Sequence, residues 1–182
     1  MSVFDYSDLS IVIPIGPKET VEALKALDEY LMNFKGAEVI REFGGTIWEA
    51  RKYGVDKSER PYILCLDVDT RVSEEYIQES IGLIKNDQID VSAIDYFYPH
   101  HQKHPAFGTS IWKTRELKRI YDWKTKPDRL YVKIGKGKYS NISSSFCECE
   151  YMWIRCAEEG LRFLELDYRA IHLKEKVLNV HS

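Results

Sequence analysis

Hydrophobic positions fall into short continuous runs separated by segments with helical spacing, and this alternation organises the first half of the chain. Ser10-Ile11-Val12-Ile13-Pro14-Ile15 is an apolar run rich in β-branched residues, the composition of a strand buried on both faces of a parallel sheet. Pro14, near its end, marks where strand pairing stops. From about Lys18, Val21, Leu24, Leu27 and Leu31 recur at helical spacing until Gly36 breaks the pattern. Ala37 to Ile40 begins a second strand, and Gly44-Gly45 opens a helix with Ile47, Ala50 and Gly54 along one side. Tyr62 to Leu66 is the clearest buried strand, and it runs directly into Asp67-Val68-Asp69-Thr70. Ile77, Ile81 and Ile84 then mark a helix with Ser73 as N-cap and Glu74 and Glu75 behind it, acids favoured by the helix dipole.

Strand and helix alternating three times predict an α/β domain around a mostly parallel sheet. The second half is less regular. Ile89 to Phe97 and Phe107 to Trp112 read as strands, with a Pro- and His-rich loop from Pro99 to Pro105 between them. Arg115 to Tyr121 reads as a short helix, and Gly135 to Lys138 as a turn without phosphate-loop spacing. A helix from about Glu148 to Glu159 ends at Gly160, and Leu161 to Ile171 forms a last strand. There is no internal repeat and no linker, so residues 1–182 are read as a single domain.

Composition narrows the class. A chain of 182 residues with 44% hydrophobic and 30% charged positions has the balance of a globular protein. A net charge of -3 argues against a general nucleic-acid binder. No apolar run approaches the length of a membrane span, and the opening MSVFDYSDLS lacks a signal-peptide pattern, so the expected compartment is cytoplasmic. Cys65 reads as a small core residue, while Cys147, Cys149 and Cys156 form neither a CxxC pair nor a zinc pattern with nearby histidine.

The candidate chemistry lies at Asp67-Val68-Asp69. Ligands of parallel α/β sheets bind beyond the carboxyl ends of the strands, where these two aspartates fall. Hard divalent cations take oxygen ligands and commonly bridge one or two carboxylates to substrate phosphates. An acidic turn capping the next helix is the plain alternative.

Three segments in this order, Ser10-Ile-Val-Ile-Pro14, Ala50-Arg51-Lys52-Tyr53-Gly54 and Tyr62-Ile-Leu-Cys-Leu-Asp67-Val-Asp69, resemble the successive landmarks of GT-A-fold glycosyltransferases, nearest to the inverting family 2. Arg155, Gly160 and His172 resemble its late helix and late histidine. The resemblance implies a GT-A, Rossmann-like α/β/α sandwich. Residues up to about 97 would be the nucleotide-binding half and residues from about 98 the acceptor and catalytic half. It implies Asp69 as metal ligand, Asp67 as a metal and ribose-facing residue, and His172 as a further metal ligand. Glu42 would face the base, Pro14 and Ile15 the nucleoside, and Arg51 the nucleotide, although Lys52 stands where the family has asparagine. Carboxylate with imidazole suits Mn²⁺ somewhat better than Mg²⁺.

The catalytic base departs from the family's Glu-Asp. Glu148 matches the Glu, but Cys149 occupies the Asp position, which leaves Glu150 or Glu148 as the base. The implied reaction is metal-dependent, inverting transfer from a nucleotide-diphosphate sugar to a hydroxyl on a glycan, lipid-linked or protein acceptor. The rivals are a nucleotide-sugar-binding remnant without catalysis, a DxD phosphatase, for which Arg71 stands at an unsuitable position, and a pyrophosphorylase, whose Gly-rich basic signature is missing. Residues 113–139 hold ten Lys or Arg against three acids, either a solvated basic face or a peripheral contact with an anionic acceptor or membrane. His100, His101 and His104 lie between prolines that disfavour a helix and read as an acceptor-side loop.

Overall fold

The computed structural model describes residues 3–97, 104–121, 131–134, 138–141 and 148–173. In chain order the elements are β1 (Leu9–Ile15), α1 (Val21–Leu31), β2 (Glu38–Phe43), α2 (Ile47–Lys57), β3 (Tyr62–Cys65), β4 (Thr70–Arg71) and α3 (Glu74–Lys85). There follow β5 (Val91–Tyr96), a 3₁₀ turn (Phe107–Thr109), β6 (Ile111–Lys113), α4 (Thr114–Ile120), β7 (Tyr131–Ile134), β8 (Lys138–Asn141), α5 (Glu148–Glu158) and β9 (Phe163–His172). A seven-stranded sheet has the order β2-β1-β3-β6-β5-β9-β4, and β7 pairs with β8 alone. Strands β1, β2, β3, β5 and β9 run in one sense, while β6 and β4 are reversed.

The apolar runs act as buried strands must, feeding both faces of the sheet. Ile11, Ile13, Leu64 and Leu66 pack with Leu27 and Leu31 of α1 and with Tyr76, Ile77, Ile81 and Ile84 of α3. Their alternates Val12, Ile63 and Cys65 pack on the other side with Trp48 and Val55 of α2, Leu117 and Ile120 of α4, and Met152 and Cys156 of α5. The result is the expected α/β/α sandwich. Burial pushes the Cys65 and Cys156 thiols up to about 12, so both stay protonated at neutral pH. Helices start where a hydroxyl can accept an orphan N–H: Thr20, Thr46 and Ser73 cap α1, α2 and α3. Gly160 ends α5 with φ of 67°, the left-handed conformation that glycine adopts at least cost.

The run from Phe107 to Trp112 departs from the sequence expectation of one strand. Its first part is a 3₁₀ turn, because side-chain oxygens compete with ladder pairing. Thr109 Oγ1 donates to the carbonyls of Ala106 and Ile94, and Ser110 Oγ donates to that of Phe107. Ile94 also donates its N–H to Thr109 Oγ1 at 3.1 Å, at the point where the β5–β9 register shifts. The short strand β4 and the β7–β8 hairpin carry too little hydrophobic pattern to be read from sequence. Most of the loop Pro99–Pro105, the centre of the turn at 135–137, and Cys147 lie outside the described residues.

Candidate functional site

Asp67, Asp69, Pro14, Ile15 and Glu42 all lie at the carboxyl edge of the parallel strands. Pro14 stands opposite Glu42, and Ile15 opposite Phe43, in the β1–β2 register. Beyond β3 the chain makes a turn closed by Thr70 N–H donating to the Asp67 carbonyl at 3.1 Å. Val68 is buried in the core, while Asp67 and Asp69 keep part of their surface open. Arg71 pins this turn, with Nη1 donating to the Val68 carbonyl at 2.8 Å and the Thr70 carbonyl at 2.9 Å. Its guanidinium rests over the Tyr30 ring, 4.9 Å from the centroid, and burial lowers its pKa. Tyr30 itself donates to the Val72 carbonyl, so α1 and the segment after β4 hold the acidic turn in place.

Two polar clusters meet at the turn. In the first, Asp69 Oδ2 lies 3.0 Å from His172 Nε2. Strand pairing brings this about: β4 is antiparallel to β9 with Thr70 opposite His172, and Leu173 N–H donates to the Asp69 carbonyl at 2.8 Å. Tyr96 lies alongside, its hydroxyl 3.1 Å from Thr70 Oγ1 and its ring 5.2 Å from that of His172. Burial, with Asp67 next, pushes the Tyr96 phenol up, so it remains neutral.

In the second cluster Arg51 is clamped between two carboxylates. Its side chain is 2% exposed, against 34% for Asp67 and 14% for Glu148. Arg51 Nη2 donates to Asp67 Oδ1 at 2.7 Å, and Nε to Glu148 Oε1 at 2.8 Å. Its guanidinium sits 5.0 Å from the centroid of the Phe107 ring. Glu148 Oε1 also accepts from the Tyr121 hydroxyl at 2.9 Å. Burial raises the Glu148 pKa against the opposing pull of Arg51. For Arg51, burial favours the neutral form, but the carboxylates Glu148 and Asp67 prevail and hold it well above its ordinary value.

The candidate residues are therefore distributed as follows. Asp69 and His172 come together, Asp67 turns to Arg51, and Arg51 engages two protein carboxylates. Among the described residues no group of three His, Cys, Asp or Glu is placed to hold a metal ion. Glu42 forms an ion pair with Lys57. Of the two candidate bases, Glu148 is held in the Arg51 cluster, while Glu150 is more exposed, with Oε1 3.8 Å from His104 Nε2. Cys149 Sγ accepts from the Phe107 N–H at 3.1 Å.

Sequence reasoning missed Gly108. A Cβ there would lie 2.2 Å from Asp67 Oδ2, so the absent side chain is what lets the 3₁₀ turn pass under the carboxylate. Gly108→Ala is expected to displace Asp67 from Arg51 and to lower stability by over ~1 kcal/mol, the cost of disturbing a hydrogen bond to a charged group. Urea unfolding checks this, and unchanged stability would show that the turn gives way without disturbing the Asp67–Arg51 pair. No local pattern marks Gly108; only the approach of two distant segments does.

No family model matches the chain, and no curated protein matches it. Among solved structures, TarS from S. aureus in complex with UDP-GlcNAc is similar over 61% of this chain and 46% of its own, with 16% identity and a TM-score of 0.44. The bifunctional IspDF from Campylobacter jejuni is similar over 93% of this chain and 53% of its own, with 13% identity and a TM-score of 0.48. This chain thus spans about half the length of the TarS and IspDF chains. A197 from STIV is similar over 90% of this chain and 84% of its own, with 12% identity and a TM-score of 0.52. That last similarity covers almost the entire domain, and with the strand order it establishes a Rossmann-like α/β fold.

Proposed function

We propose that the protein is a metal-dependent, inverting glycosyltransferase that takes a nucleotide-diphosphate sugar as donor. The observation that carries this reading is the meeting of Asp69 and His172, distant in sequence, at 3.0 Å on the sheet's carboxyl edge. The resemblance to family 2 assigns metal binding to these same two side chains. A carboxylate oxygen and an imidazole nitrogen form a donor set that fits Mn²⁺ or Mg²⁺, whose remaining ligands would be diphosphate oxygens and water. When bound, the cation would offset charge on the departing nucleoside diphosphate. The protein side chains do the rest. Pro14, Ile15 and Glu42 receive the nucleoside, and Asp67, held by Arg51, faces the ribose.

Glu150 is the better base of the two candidates, because Glu148 is already committed to Arg51 and Tyr121. In the proposed step the Glu150 carboxylate takes the acceptor hydroxyl's proton. The acceptor oxygen bonds to the anomeric carbon, and the bond to the diphosphate oxygen breaks with its electron pair. Glu150→Gln is expected to lower kcat about a hundredfold with little change in donor affinity, in the range of general-base losses. UDP-GlcNAc with Mn²⁺ is the first donor to test, by product release and by thermal shift. Stabilisation by no nucleotide sugar would overturn the proposal.

The second reading, a nucleotide-sugar-binding protein without turnover, is favoured by Cys149 at the family's Asp position and by its bond to the Phe107 backbone. Donor binding without transfer or hydrolysis would establish it.

A further inference from the structure

The basic feature at residues 113–139 changes character in the fold. Its described cations are unevenly committed. Lys113 is neutralised by Asp87 and Asp90, and Arg119 by Glu116 and Glu159. Among the described residues Lys118 donates only to carbonyl oxygens, those of Ser58 at 2.6 Å and Asp56 at 3.3 Å, and meets no carboxylate. Arg115 is 80% exposed and stands 3.4 Å from Glu116, an acid that Arg119 already engages at 2.8 Å.

Arg115 and Lys118 are joined by two cations from elsewhere in the chain. A surface pocket of roughly 470 Å³ is lined by Arg60, Lys85, Lys113, Arg115 and Lys118, with Pro61, Tyr62, Ile84 and Thr114 as its remaining walls and Glu59 as its one acid. Among the described residues Arg60 and Lys85 have no ion-pair partner. Tyr62 opens β3, so the pocket lies at the opposite edge of the sheet from Asp67. At ~3.3 Å per residue the two are roughly 16 Å apart.

Uncompensated cations converging on one concavity repel one another, and apolar walls such as Ile84 and Pro61 strengthen the field they share. An anion relieves that repulsion. Guanidinium groups in particular match the oxygens of a phosphate, which two N–H bonds can engage together. We propose that this pocket is a second ligand site that binds a phosphate or diphosphate group through Arg60, Lys85, Arg115 and Lys118. It is separate from the nucleotide site and does not depend on the glycosyltransferase reading. The group's source is either a free phosphorylated small molecule or the headgroup of an anionic lipid.

Inorganic pyrophosphate is the probe, titrated calorimetrically into the full chain without added metal. The native protein is expected to bind it saturably. Arg60→Glu/Arg115→Glu should weaken that affinity at least tenfold, and Asp69→Ala should leave it unchanged. Should the charge-reversed protein fail to fold, Arg60→Gln/Arg115→Gln must show the same loss. Absence of saturable binding overturns the proposal, as does binding lost in Asp69→Ala but kept in the double variant. Sedimentation with phosphatidic acid vesicles, absent with phosphatidylcholine and displaced by pyrophosphate, assigns the lipid source; pyrophosphate binding without sedimentation assigns the soluble one.

Discussion

For the glycosyltransferase proposed above, Asp69→Ala is expected to lower nucleotide-sugar turnover about a thousandfold while leaving the protein folded. A bound cation contributes several kcal/mol to stabilising charge that develops on a leaving phosphate, and each ~1.4 kcal/mol is a tenfold change in rate. The structural cost should be small. The Asp69 carbonyl that accepts from Leu173 N–H belongs to the backbone and survives the substitution. Among its described side-chain contacts the substitution removes the pair with His172, worth about 1 kcal/mol or less for a contact that solvent still reaches. The measurement is kcat with UDP-GlcNAc across a Mn²⁺ titration, beside an unfolding curve. His172→Ala should reproduce the raised metal requirement with a smaller loss of rate. Equal turnover in Asp69→Ala would overturn the assignment of this turn as the metal site.

The largest expected effect on stability belongs to Arg51→Ala. Among the described residues, the substitution leaves Glu148 buried with the Tyr121 hydroxyl as its remaining side-chain hydrogen-bond partner and removes the cation facing Asp67. Breaking a buried ion pair from one side costs about 3–5 kcal/mol, a large part of the stability of a domain this size. The loss should depend on pH in a definite direction. Burial raises the Glu148 pKa in the folded state, so its contribution is fully present below the unfolded carboxylate value and is lost as pH rises through the folded pKa. Removing Arg51 raises that pKa further, since Arg51 is the main influence lowering it. The destabilisation should therefore be smaller near pH 5 than near pH 8, and Arg51→Met/Glu148→Gln should recover much of it. Urea unfolding at both pH values tests this. A pH-independent loss would mean that packing on Phe107, rather than charge, is what Arg51 contributes.

These two sites differ in how visible they are from sequence. Asp69 could be found because an apolar strand runs straight into it, and strand ends of parallel sheets are where ligands bind. The Arg51 cluster could not be found that way. Arg51, Asp67, Glu148 and Tyr121 belong to four separate segments, and nothing in any one of them states that its charge will be met by the others. Glu148 reads as an acid of a first helical turn; the fold commits it to Arg51 instead. Gly108 shows the same limit, because its importance lies in contact with Asp67 and its local sequence reads as strand.

The alternation of β1, α1, β2, α2, β3 and α3, the caps at Ser73 and Gly160, and the placement of Asp67 and Asp69 at a strand end can all be read from the order of residues. Local forces are enough for these: the period of apolar burial, the needs of orphan N–H groups, and the freedom of glycine. The folded sheet, by contrast, is what pairs Thr70 with His172 and so brings an aspartate and a histidine together. It alone split the expected strand at Phe107 by offering Thr109 a partner in Ile94. It also gathered Arg60 and Lys85 beside Arg115 and Lys118. In each case the physical reason is the same. Hydrogen bonds and charge pairs between distant segments are set by the register of the sheet, and register is a property of the assembled chain.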